Sequence, residues 1–156
     1  MTRLGIVLAA GLGLASTLAP ATLAAQDAVG VTGAAEATLP IGATFGGLSL
    51  KGVTLGQGIF IGSNGSATGQ FQAVLRGTSP LGSAQDVVVE GEVSGGSAGS
   101  GTATFSGTAT VSMGDGTPSL TGVPFTVTAS AGSLGLTLNG TALPTATVTA
   151  GGIAVQ

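Results

Sequence analysis

Residues Gly101–Met113 have the sequence GTATFSGTATVSM, in which every second residue is Thr or Ser. The residues between these hydroxyls include Phe105, Val111 and Met113. Successive side chains of a β-strand point to opposite faces, so the alternation predicts a long strand with an apolar inner face and six outward hydroxyls. Thirteen residues would span about 44 Å at the rise of a strand. Because that length is unusual, we expect a bend or bulge near Gly107.

The same period of two recurs on both sides of this stretch and predicts further strands. Downstream they are Val123–Ser130, Leu134–Asn139, Thr145–Ala150 and Ile153–Val155; upstream they are Leu48–Leu55 with a register slip at Gly52, Ile59–Ile61, Phe71–Leu75 and Val87–Val93.

Turn residues separate these segments. Asn64-Gly65, Asp115-Gly116 and Asn139-Gly140 each lie between alternating runs and tolerate the positive φ of tight hairpins, so three hairpins are predicted. Asn64 and Asn139 also begin glycosylation triplets, but the turns explain both residues without a sugar. Longer loops are expected at Gly77–Gln85 and at Ser94–Ser100, which is almost wholly Gly, Ser and Ala.

These patterns predict an all-β fold, an antiparallel β-sandwich of eight or nine hairpin-connected strands, with a closed meander β-barrel as the alternative. Small residues at inward positions favour the sandwich, because they allow two sheets to approach closely. They include Ala103, Ala109, Ala129 and Ala146.

The first 25 residues have the features of a cleaved secretory signal peptide: Arg3, an apolar run from Leu4 to Leu18, and small residues up to Ala25. We expect cleavage after Ala24 or Ala25. Residues 26–40 are then an N-terminal arm or first strand, and residues 41–156 form the β-domain. An arm would complete a neighbouring copy by strand addition, whereas an ordinary first strand pairs within its own chain.

Composition excludes most enzyme chemistry. The chain has 30 Gly, no Cys and no His, with 3 basic and 6 acidic residues. Without thiols or imidazoles there is no thiolate nucleophile, imidazole base, disulfide or ordinary zinc site. Without a basic patch, nucleic acid is excluded as a partner. We predict no catalytic, cofactor-binding or metal-binding residues, and no stable membrane insertion after signal cleavage.

Two arrangements of carboxylates are candidates for a catalytic or metal site. Glu90 and Glu92 lie two residues apart on one strand face, about 6.7 Å along the backbone, which approaches the separation in glycosidases. Together with Asp86 and Asp115 they also offer oxygen ligands for Ca²⁺. Neither has supporting features, because sugar-stacking aromatics are few and no calcium-loop spacing is present.

Threonine pairs two residues apart form a second outward pattern. They are Thr102/Thr104, Thr108/Thr110, Thr126/Thr128 and the run Thr145, Thr147, Thr149. On flat, adjacent strands such hydroxyls would form a grid that resembles the binding faces of some ice-binding proteins, although sheets twist and Thr is a common exposed strand residue.

The sequence therefore predicts an exported, non-enzymatic β-domain that is a structural, assembly or adhesion component of the cell surface or extracellular matrix. Its partners would be further copies of itself or other surface components. Bacterial export is expected, with the protein secreted or on the cell surface, and the periplasm is an alternative. The other functions considered are a secreted binding module for a small apolar ligand or glycan, an ice-binding protein, and a carboxylate-dependent hydrolase.

Overall fold

The computed structural model describes residues 28–156, so the predicted signal peptide lies outside the described residues. Within this range the secondary structure consists of β-strands, without a helix. The strands are β1 (Val29–Thr38), β2 (Thr44–Phe45), β3 (Leu48–Ile61), β4 (Ser66–Thr78), β5 (Ala84–Gly99), β6 (Thr102–Ser112), β7 (Leu120–Ser130), β8 (Ser133–Leu138), β9 (Thr141–Ala142) and β10 (Ala146–Val155).

All ten strands belong to one antiparallel sheet with ring-like hydrogen bonding. Strands β3 to β8 pair in chain order, β8 pairs with β10, and β1 pairs with both β10 and β3. The all-β, antiparallel prediction is confirmed. The strand count exceeds the predicted eight or nine because β2 and β9, with two residues each, are too short to show a periodic pattern.

The segment for which the sequence left two possibilities open, residues 26–40, contains β1. Its residues pair with β3 from Val29 to Thr38, and with β10 from Val31 to Thr38. In this chain, β1 is therefore a strand with neighbours on both sides.

Inward and outward positions follow the predicted alternation. Phe105 and Val111 of β6 are buried, and Met113 packs against the core from just beyond the strand. On β7 the inward residues are Val123, Phe125, Val127 and Ala129, and on β8 they are Leu134, Leu136 and Leu138. Burial of these apolar faces is the main stabilising contribution in a chain without disulfides.

Register irregularities lie close to the predicted ones. The β3–β4 register shifts between Leu50 and Gly52, as the slip in the sequence pattern predicted. The irregularity expected near Gly107 is on the neighbouring strand: the β5–β6 register shifts between Val93 and Gly95, opposite Gly107 and Ser106.

The prediction of a loop at Ser94–Ser100 is wrong. Strand β5 continues to Gly99, and its last residues pair with β6 from Gly95↔Ser106 to Gly99↔Thr102. The connection is reduced to Ser100 and Gly101, which both have positive φ. Strand-forming propensity is low here, so the neighbouring strand provides the hydrogen bonds that hold the segment extended.

Three phenylalanine rings form the centre of the core. The ring of Phe71 stacks on Phe125 with centroids 5.7 Å apart, and meets Phe105 at a tilt with centroids 5.9 Å apart. Gly91 makes this packing possible, since a Cβ at that position would lie 2.7 Å from Cε1 of Phe125. The close contact explains why an inward position of β5 has no side chain.

Gln57 is an exception in this apolar interior. It lies at an inward position of β3, between Leu55 and Ile59, and opposite Gly33 of β1 and Phe71 of β4. Its amide nitrogen and oxygen are both buried, and neither has a hydrogen-bond partner among the described residues. An amide buried without a partner lowers stability by about 1–3 kcal/mol.

We expect Phe71→Ala to lower the free energy of unfolding by about 3–5 kcal/mol, because it removes a ring that contacts two others in the core. Phe60→Ala is the matched control, since Phe60 is 64% exposed on the outer face and its truncation should cost less than about 0.5 kcal/mol. Urea denaturation measures both. Equal losses for the two variants would contradict the inward placement of Phe71.

We expect Gln57→Met to raise the free energy of unfolding by about 1 kcal/mol, because a side chain of similar length replaces the unpaired amide with apolar atoms. The same urea experiment measures it, with Gln70→Met on the outer face as the control. A lower stability for Gln57→Met would show that the amide has a partner, such as a bound water.

Candidate functional site

Six polar side chains form a continuous patch on the outside of β4, β5 and β6, which we call the polar strip. Its members are Gln70, Gln72, Glu90, Glu92, Thr108 and Thr110. Register arranges them in two rows, Gln70–Glu92–Thr108 and Gln72–Glu90–Thr110, and the rows continue on β3 as Gly58 and Gly56. Directly opposed side chains in such rows are about 4.5–5.5 Å apart at Cβ.

The strip faces outward because the residues between its members face inward. Phe71, Gly91 and Ala109 occupy the alternate positions on the three strands and are buried. A depression of about 470 Å³ covers the six side chains. A second, of about 220 Å³, lies over Gly56 and Gly58 and shares Gln70 and Gln72 with the first. Together they make one shallow groove across four strands.

An exposed aromatic ring lies beside this groove. Phe60 follows Gly58 by two residues on β3, so it projects from the same face, and it pairs with Thr68 of β4. Phe71, Phe105 and Phe125 are buried, whereas Phe60 is 64% exposed. Its position between small residues, Gly58 and Gly62, is the signal that marks it as accessible.

The chemistry of the strip is hydrogen bonding without a cation. Its amides donate and accept, its hydroxyls do both, and its carboxylates accept. Arg76 is engaged elsewhere: its Nη2 donates to Oε1 of Glu36 at 3.1 Å and to Oγ1 of Thr54 at 2.8 Å. The Arg76–Glu36 pair is the salt bridge that the structure shows within residues 28–156. Glu90 and Glu92 are not part of it, and both are exposed to solvent.

The structure places Glu90 and Glu92 on an open, exposed strand face within the polar strip. Asp86 is exposed nearer the start of β5, and Asp115 lies in the loop between β6 and β7. No group of three or more His, Cys, Asp or Glu residues that could hold a metal ion occurs in the described part of the chain.

Asp115 has a local structural role. Its carboxylate accepts hydrogen bonds from the backbone N–H of Thr117 at 3.0 Å and from the Thr117 hydroxyl at 2.6 Å. These bonds stabilise the charged form and hold the pKa of Asp115 below its usual value. The predicted Asp115-Gly116 turn is thus closed by its own side chain.

The other two predicted turns are present as well. The side chain of Asn64 accepts bonds from the backbone N–H of Ser66 at 3.0 Å and from its hydroxyl at 2.6 Å. Asn139 and Gly140 both have positive φ between β8 and β9, as a two-residue hairpin requires.

A second outer surface covers β6, β7 and β8, and we call it the hydroxyl wall. Its members are Thr102, Thr104, Ser106, Thr126, Thr128, Ser130, Ser133 and Thr137. Three cross-strand rows align them: Thr102–Ser130–Ser133, Thr104–Thr128–Gly135 and Ser106–Thr126–Thr137. Between Ser94 and Gln156 the sequence has one charged residue, Asp115, so the wall carries no charge.

Side-chain contacts support the rows of the wall. The hydroxyl oxygens of Thr104 and Thr128 are 3.3 Å apart, and those of Ser130 and Ser133 are 2.9 Å apart. The predicted pairs Thr102/Thr104 and Thr126/Thr128 are therefore neighbours, whereas Thr147 and Thr149 are on β10. Gly135 and Pro124 interrupt the grid, the first opposite Thr128 and the second opposite Thr108.

Comparison of the chain with models of protein families, with curated proteins and with solved structures gives no match. Residues 28–156 contain no long, strongly apolar helix of the kind that crosses a membrane.

Proposed function

We propose that this chain is an exported, non-enzymatic β-domain that acts at the cell surface or in the extracellular matrix as a structural, assembly or adhesion component. The leader-like residues 1–25 support the export, and the two outer surfaces support a role in contact with other surfaces.

The observation that carries the proposal is the uneven distribution of charge. The charged residues of the described chain lie on β1, β3, β4 and β5 and in the β6–β7 loop, whereas the hydroxyl wall of β6, β7 and β8 has none. An uncharged face rich in hydroxyls forms contacts that salt does not screen and that need no specific counter-charge. Such a face suits adhesion to hydrated surfaces.

Residue chemistry supports a non-enzymatic role. The chain contains no His or Cys, so a nucleophile would have no imidazole to activate it. Glu90 and Glu92 lie on an open strand face, where water competes for every interaction. A hydrolase would instead need a cleft that excludes water from around the two carboxylates.

The ring-like pairing favours the closed meander barrel over the sandwich that the sequence analysis preferred. Each of the eight longer strands pairs with a strand on either side, and the interior holds apolar side chains, including the three central phenylalanines. A filled interior gives little support to a small apolar ligand, so recognition is assigned to the outer surfaces.

We expect Thr104→Lys/Thr128→Lys to reduce adhesion several-fold, because two hydrated charges on the hydroxyl wall must lose water when the wall makes contact. The test uses cells from which the gene has been deleted, complemented with each variant, and counts cells retained on hydrophilic glass after washing. Thr32→Lys/Thr38→Lys is the control, with the same added charge on exposed positions of β1.

Wild-type attachment by the wall variant, or unchanged attachment after deletion of the gene, would contradict the proposal. Measuring the protein in the medium, on the cell surface and inside the cell tests the export separately.

A second candidate function is glycan binding at the polar strip. The strip places two amides, two carboxylates and two hydroxyls in register next to the exposed ring of Phe60. Sugars are bound by this combination, in which polar groups pair with the hydroxyls and an aromatic face packs against the C–H groups.

We expect a glycan array to show binding that Phe60→Ala and Gln72→Ala each weaken about tenfold, since each removes one contact of about 1.4 kcal/mol. Thr38→Ala, an exposed position of β1, is the matched control and should bind like the wild type. No glycan bound by the wild type, or equal binding by all variants, would remove this candidate.

A further inference from the structure

The ring of strands is joined by few backbone hydrogen bonds at one place, between β8 and β10. Strand β8 has six residues and pairs with β10 at two positions, Ala146↔Leu134 and Thr147↔Ser133. One further backbone bond follows, from the N–H of Val148 to the carbonyl of Gly132. Beyond that point β8 has ended, because a two-residue turn connects its first residue to β7.

The remainder of β10 has an unpaired edge. Residues 149–155, which we call the open edge, have β1 on one side, where Ala150 to Val155 pair with it, and they pair with no other strand within residues 28–156. Gly30 and Gln156 exchange both backbone hydrogen bonds, at 2.7 and 2.9 Å. The alternation of an antiparallel pair then directs the N–H and C=O groups of Val155 and Ile153 away from β1. Seven residues give about 23 Å of edge.

The open edge has few of the features that normally protect one. Its sequence, TAGGIAV, contains no charged residue and no Pro. Thr149, Ala150, Gly151 and Gly152 are exposed, and their small side chains leave the backbone accessible. One bulge, opposite Glu36 and Ala37, lies at the beginning of the segment. Exposed, uncharged edges of this kind are templates for the addition of another strand.

We propose that the open edge pairs with the open edge of a second copy of this chain, antiparallel and across a two-fold axis. This inference rests on the assembly role in the proposed function and names its partner. The edge offers backbone groups but no charge or side-chain anchor that would select a foreign chain, and an identical strand provides the same groups in return.

Symmetry and polarity agree with this pairing. A two-fold contact uses both edges, so the association stops at a dimer. The absence of charged side chains means that no like charges meet when the segment faces itself. Ile153 and Val155 lie on the inward side of β10, and their copies extend the apolar layer across the contact.

The test is sedimentation of the chain purified after expression with its own leader, over a hundredfold range of concentration. We expect the wild type to pass from monomer to dimer. Ala150→Lys/Ala154→Lys places like charges across the axis and should raise the dimer Kd at least a hundredfold. Gln70→Lys/Gln72→Lys on β4 is the matched control and should dimerise like the wild type. Circular dichroism of each variant checks that it has folded.

Amide hydrogen exchange provides a readout of the edge itself. The N–H groups of Ile153 and Val155 should exchange rapidly at concentrations where the protein is monomeric and slowly where it is a dimer. A monomer at all concentrations overturns the inference, as does a dimer that the edge lysines leave intact. Protection of both amides in the monomer also overturns it, because the edge would then be covered within a single chain.

The two proposals fail separately. A monomeric protein that still supports attachment of cells overturns the dimer and leaves the adhesion role standing, whereas a dimer without any effect on attachment does the reverse.

Discussion

The pairing of β1 with both β3 and β10 is the interaction on which the rest of the structure depends. It joins the first and last strands of the sheet and gives almost every backbone group of β1 a partner. A chain with 30 Gly loses much backbone entropy on folding, and it has no disulfide to restrict the unfolded state. Closure offsets that cost because it satisfies backbone hydrogen bonds and encloses the apolar faces together.

The strand register that the apolar core imposes also determines the two outer surfaces. The inward positions of Phe71, Gly91 and Ala109 set the register of β4, β5 and β6. The positions of their outward neighbours follow from that register, so the glutamine, glutamate and threonine side chains align in rows. A slip of one residue would exchange every inward and outward side chain. The polar strip and the hydroxyl wall are therefore consequences of the same core that stabilises the fold.

The surfaces differ in what they offer a partner. The strip has carboxylates and a neighbouring aromatic ring, the wall has hydroxyls without charge, and the second half of β10 has an unpaired backbone. The adhesion, sugar recognition and self-association that we propose therefore involve separate parts of the ring, so substitutions on one part leave the other proposals testable. Short β8 is the reason that the backbone of β10 stays open, since a longer strand would have covered it.

The sequence by itself determined where most of the longer strands lie, which residues they turn inward and where the hairpin turns fall, because side-chain alternation and positive φ are local properties. The β6 pattern, the slip at Gly52 and the Asn139-Gly140 turn could all be predicted in this way, as could the outward positions of Glu90 and Glu92. Tertiary structure alone decided the ring closure, the extension of β5 through Ser94–Ser100 and the unpaired amide of Gln57. These three features depend on which strand, distant in the sequence, lies alongside the segment. The energy of pairing between distant segments produces no periodic pattern in the sequence of either segment.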